Sequence, residues 1–159
     1  MITIFVLLVI FQIKHFLSDY PLQTPWMLGK FKDKGWFGPL AVHCLVHFSF
    51  TIVIGLFCKW VPFYIVLLMG IFDFWMHLFM DRIKASRKML GRFKPLNAME
   101  YTAMKAAADG KPIGAPYPVE EAKKRLKSNW WFWLSIGIDQ GFHHLTHYVI
   151  ILIFYLFSL

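Results

Sequence analysis

Seven histidines occur in this 159-residue chain, and every one falls inside a stretch that otherwise reads as a membrane-crossing helix. Four aspartates fall there with them. The sets are His15 and Asp19; His43 and His47; Asp73, His77 and Asp81; and Asp139, His143 and His147. Residues four apart share one face of a helix. A charged group near the centre of a bilayer costs about 3 kcal/mol or more unless it is paired or hydrated. Such a concentration in apolar segments implies a shared use, and the simplest is to bind metal.

The rest of the sequence places these residues in a membrane. The chain is 58% hydrophobic with a mean hydropathy of +0.52, outside the range of an ordinary water-soluble domain. Four apolar segments, about Ile2–Leu22, Pro39–Trp60, Pro62–Arg82 and Asn129–Leu159, each reach the roughly 20 residues that a crossing needs. Trp60 closes the second, and Trp130, Trp131 and Trp133 open the fourth, as aromatic belts at the interface. No basic residue precedes the first apolar run, and Lys14, His15 and Asp19 interrupt it, so it reads as a retained helix and not a cleaved leader. Cys44 and Cys58 lie on one expected helix about 21 Å apart, too far to bridge. The expectation is an all-α, polytopic membrane protein: one domain over 1–159, a four-helix transmembrane bundle with a basic loop over about 83–128 containing short helices.

Loop charge sets a direction. The first loop, about Gln23–Gly38, carries Lys30, Lys32 and Lys34; the second is a bare turn around Trp60–Pro62; the third holds most of the remaining basic residues of a chain with net charge +8. The positive-inside rule puts the first and third loops in the cytoplasm and both termini outside. Within the third loop a helix is expected over Asn97–Ala108, stopped at Asp109-Gly110. A proline-rich connector follows over Lys111–Pro118, then a helix over Val119–Lys127. The basic residues would attract anionic lipid headgroups, at about 1 kcal/mol per charge. Nucleic acid is not an expected partner, because aromatic residues are not interleaved with these charges in a stacking pattern.

With that direction, all four helices present His or Asp to the inner half of the bilayer, and their outer halves are almost purely apolar. Imidazole and carboxylate suit Zn first, and also Mn, Fe or Ni. His43, His47, Asp73, His77, Asp139, His143 and His147 are the expected ligands; His15, Asp19 and Asp81 are the expected acid–base groups. A single catalytic Zn needs about three protein ligands and an open position. The surplus implies either a dinuclear centre or residues that orient ligands and move protons. Plainer roles are a capping charge for Asp19, a headgroup ion pair with Arg82 or Lys84 for Asp81, and packing for His144. Gln12, Gln23 and Gln140 would then be hydrogen-bonding links, and Lys14 would either snorkel or pair inside the bundle.

The string from His15 to Thr24, His-Phe-Leu-Ser-Asp-Tyr-Pro-Leu-Gln-Thr, resembles the opening signature of a bacterial and phage membrane family filed as domain of unknown function 3307. His43-x3-His47, Asp73-x3-His77-x3-Asp81 with Lys84, and Asp139-Gln140-x2-His143 are similar to its later elements, so the resemblance covers nearly the whole chain. It implies a bacterial inner-membrane protein and carries no activity. More distantly, the layout is similar to membrane-embedded metal-dependent hydrolases, an analogy of arrangement. Three functions are therefore expected to compete. One is a Zn-dependent hydrolase of a lipid or lipid-linked substrate. The second is a proton or metal-ion transporter, and the third is a metal-braced structural protein; a homo-oligomer is compatible with each.

Overall fold

Each long apolar run folds as a helix in the computed structural model, which describes residues 2–32, 34–86, 88–94, 124 and 127–159. The helices are α1 (Ile2–Asp19), α2 (Phe37–Phe57), α3 (Phe63–Ala85) and α4 (Trp130–Leu156), and no strand occurs among the described residues. Prolines set several ends. Pro21 disfavours helical backbone at Tyr20, so α1 stops at Asp19, short of the expected Leu22. Pro39 sits in the first turn of α2, where its missing N–H costs nothing. Pro62 stands just before α3, which runs three residues past the expected Arg82 and so takes Lys84 onto the helix. The Asn129 side chain caps α4 by accepting from the Phe132 N–H at 3.0 Å.

The helices contact one another in the cyclic order α1–α2–α3–α4, with α2 and α3 packed most closely. Their shared interior has two zones. At one end lies an apolar core of Leu7, Phe11, Ile54, Cys58, Val61, Val66, Ile150, Ile151 and Phe154. At the other most of the buried side chains are polar, with the apolar Met27, Leu40, Cys44, Met80 and Ala85 among them. The zones fall at opposite ends of α1 and α2, and of α3 and α4, so chain direction alternates along the ring. Outward, large apolar side chains such as Phe5, Phe57, Phe63, Trp75, Phe79 and Leu152 stand exposed. A surface this apolar suits lipid and not water.

Helices α1, α2 and α3 are long and apolar enough to cross a membrane, which is consistent with an integral membrane protein. Helix α4 has the length, at 27 residues, but is not among them. Asp139, Gln140, His143, His144 and His147 dilute the apolar character of its first half. Between α1 and α2 the first loop folds a 3-10 turn over Met27–Phe31, which the sequence did not announce, and a second follows α3 at Leu90–Phe93. The expected helix over Asn97–Ala108 and the connector over Lys111–Pro118 lie outside the described residues, as does most of Val119–Lys127. Cys44 and Cys58 are free thiols, both buried.

Candidate metal centre

The ten histidines and aspartates singled out by their spacing come together in the polar zone. Helix α1 supplies His15 and Asp19 from its last turns, α2 supplies His43 and His47, α3 supplies Asp73, His77 and Asp81, and α4 supplies Asp139, His143 and His147. Nine of them are buried, none more than 5% exposed. Asp19 is the partial exception, its side chain 14% exposed.

Each carboxylate organises its own neighbourhood. Asp73, at the boundary with the apolar core, pairs with Lys14, accepts from Thr51 Oγ1 at 2.7 Å and lies 3.2 Å from His77 Nδ1. Asp19 sits among three imidazoles, His47 at 3.1 Å, His43 at 3.4 Å and His15 at 3.5 Å. Asp81 accepts from Lys30 at 2.7 Å and lies 3.1 Å from His43. Asp139 accepts from Lys84 at 2.6 Å and Gln140 at 3.0 Å, with His143 at 3.4 Å. The rings knit these neighbourhoods together: His47 stacks on His77 with centroids 3.7 Å apart, and His77 on His143 at 4.3 Å.

The network leaves bonding capacity unused. Eight of the ten residues carry a buried nitrogen or oxygen with no hydrogen-bond partner. In His77, for example, Nδ1 donates to the Asp73 backbone carbonyl at 2.9 Å, which leaves Nε2 as a buried lone pair. A ring held by one nitrogen with the other free is the usual posture of a metal-ligating histidine. Three groups could hold an ion, with ligand atoms within 4.8 Å of one another: His15, His47, His77 and His147; Asp19, His43 and His47; and Asp81, Asp139 and His143. The contacts of Asp19 with His47 and His43, at 3.1 and 3.4 Å, fit the roughly 3.3 Å between ligand atoms around a tetrahedral Zn with arms of about 2.0–2.1 Å.

Residues 6–159, which include every element of this network, match the family described as a protein of unknown function, DUF3307. The chain belongs to the DUF3307 family. No curated protein and no solved structure matches it.

In this DUF3307 chain the structure adds Lys30 to the network, gives Lys14 the bundle-internal pairing that was one of its two expected roles, and corrects one pairing. Asp81 does not meet Arg82 or Lys84 in the headgroup layer. It is buried against Lys30 and His43, while Arg82 lies over the Trp36 ring at 4.0 Å and Lys84 reaches Asp139. The cause is the 3-10 turn of the first loop, which folds Lys30 inward until it is 3% exposed. Lys14 does not snorkel; it is 1% exposed and also lies 3.1 Å from His147. His144 stands off the cluster and bonds Gln12 at 3.1 Å, and Gln140 links His15 to Asp139, as glue residues would. Lys14, adjacent to His15 in an apolar run, and Lys84, three residues after Asp81, carried a signal in the sequence. Lys30, one of three lysines in a loop, carried none.

Proposed function

We propose that all four helices cross the bilayer and enclose a divalent-metal centre in its cytoplasmic half. There a metal-activated water would hydrolyse a lipid or lipid-linked substrate drawn from the inner leaflet. The observation that carries this reading is the convergence of imidazoles and carboxylates from four helices, with buried lone pairs left without partners. Helix α4 belongs among the spans because its polar residues face inward, while Leu145, Val149, Leu152 and Leu156 stay exposed along its outside. The cytoplasmic side follows from Lys32, Lys34 and Lys88 flanking the polar end, against Lys59 at the other.

Bound Zn would supply hydroxide near neutral pH, by lowering the pKa of its water to about 7. His15, held by Gln140 at 3.0 Å and beside Asp19, is placed to take up and return a proton. The Lys84 ammonium, its side chain 24% exposed, is the network cation nearest solvent and would stabilise developing negative charge. Transport fits less well, because an apolar core from Leu7 to Phe154 fills the opposite half of the interior and offers ions no polar path.

The test is metal analysis of the full chain purified in mild detergent, followed by assays on lipid carboxyl esters and phosphoesters. The expected outcome is at least one equivalent of Zn, Mn or Fe, and turnover that stops on chelation and returns with metal. Protein without metal would sink the reading. Metal with no turnover of either bond class would reduce the centre to a structural brace.

A further inference from the structure

Three candidate groups cannot be treated as equivalent, because the lysines are not evenly shared. Asp73 is paired with Lys14, Asp81 with Lys30 and Asp139 with Lys84. Among the described residues Asp19 alone of the four has no lysine, and its partners are all imidazoles. An ammonium already seated on a carboxylate oxygen repels a dication that would use the same carboxylate. The Lys14–Asp73 and Lys30–Asp81 pairs are out of water's reach, where screening is weakest, and Lys84 is 24% exposed over a fully buried Asp139.

This asymmetry sorts the groups. Asp81, Asp139 and His143 contain two lysine-held carboxylates. In the four-histidine group, Lys14 lies 3.1 Å from His147, and the His47 and His77 rings stack at 3.7 Å with planes 29° apart. Two imidazoles stacked this close to parallel hold their nitrogen lone pairs in nearly parallel planes, a poorer geometry for one tetrahedral ion than two crossed rings. The group of Asp19, His43 and His47 has neither defect. His43 and His47 lie one turn apart on α2, with ring planes at 79°, and both reach Asp19 Oδ1. Asp19 is also the most exposed of the four carboxylates, so a site built on it has an approach for water or substrate. Two imidazoles, one carboxylate and an open position make a catalytic type of site for Zn, or for Fe(II).

We propose that a single divalent cation is bound by Asp19, His43 and His47, and that Asp73, Asp81 and Asp139 are lysine-neutralised acids outside its coordination sphere. The inference rests on the metal reading above and narrows it. Asp19 becomes a ligand and not an acid–base group, and Asp73, His77, Asp139, His143 and His147 leave the ligand set. Asp81 lies 3.1 Å from the same His43 Nε2 that faces Asp19, so it stands beside the ion with its charge held by Lys30.

Co(II) titration of the full chain, stripped of metal by chelator in detergent, tests this by visible absorbance and metal counting. The wild type should take up one equivalent. Asp19→Asn and His47→Gln should each weaken binding by more than about 100-fold, beyond what outer partners usually contribute, and Asp139→Asn should stay within about tenfold. Asp19→Glu keeps a carboxylate within reach, so it should retain one equivalent with an altered Co(II) spectrum even if Asp19→Asn fails to fold. Two equivalents in the wild type would overturn the proposal. So would loss of binding in Asp139→Asn with retention in Asp19→Asn, or an Asp19→Glu spectrum identical to wild type. No Co(II) uptake by the wild type would instead remove the metal reading on which the proposal stands.

Discussion

Lys14 lies one residue before His15 in an apolar run, and in the fold it meets Asp73 at the seam between the polar and apolar zones. Both side chains are out of solvent, at 1% and 0% exposure. Breaking a buried pair by removing one partner leaves an uncompensated charge, at a cost of about 3–5 kcal/mol. Lys14→Met should therefore destabilise the chain by about that much, read as a lower unfolding midpoint in detergent. Lys14→Met with Asp73→Leu should recover much of the loss, because well-packed apolar residues often replace a buried pair at little cost. A double variant no better than the single would show that Asp73 is held mainly by Thr51 and His77. The histidines and aspartates of the site were legible because polar residues four apart in an apolar helix are costly unless that face meets partners. The lysines were less so, since a lysine near a helix end reads equally well as a topological charge. Lys30 enters the network only because a loop folds back, a contact no periodicity encodes.

At the scale of elements, small residues set how closely the helices meet. A Cβ on Gly55 of α2 would fall on the Val66 side chain of α3, 2.9 Å from its Cγ2, and 3.1 Å from Phe154 Cζ of α4. Val66 is 1% exposed and its branched side chain has little rotamer freedom, so neither neighbour can move cheaply. Gly55→Ala should cost about 1–3 kcal/mol through overpacking, more than the roughly 1 kcal/mol that alanine gains in a helix. Gly141 of α4 is the control. A Cβ there meets nothing within 4 Å, and Gly141→Ala should be neutral or stabilising by up to about 1 kcal/mol. Opposite shifts in unfolding midpoint, each with unchanged helical circular dichroism, are the expected pair. Equal shifts would show that helix propensity and not interhelical contact dominates at both sites. The positions of the helices could be read from hydrophobic runs and prolines. Their neighbours could not, because in the apolar half lipid-facing and core-facing residues are alike, and the polar face of the other half does not encode which helix it meets.

Taken as a whole, the molecule is asymmetric along its helices, with a polar zone flanked by basic residues at one end and an apolar core at the other. Lys34, at the end of the first loop, and Lys88, after α3, are exposed at the polar end; Lys59, in the turn between α2 and α3, and Ser158, after α4, are exposed at the apolar end. If the positive-inside rule governs insertion, the first two face the cytoplasm and the last two the opposite side. Single cysteines can report this, because Cys44 and Cys58 are buried and should give little background. In intact cells, a membrane-impermeant maleimide should label Lys59→Cys and Ser158→Cys, and reach Lys34→Cys and Lys88→Cys only after permeabilisation. The four sites must also sort as two pairs, since an odd number of crossings would separate Ser158 from Lys59. Labelling of Ser158→Cys together with Lys34→Cys and Lys88→Cys would mean that α4 does not cross, in which case its histidines would approach the cluster from the membrane surface. Reversal of all four would keep the bundle but move the metal centre to the outer leaflet, and the candidate substrates would change with it.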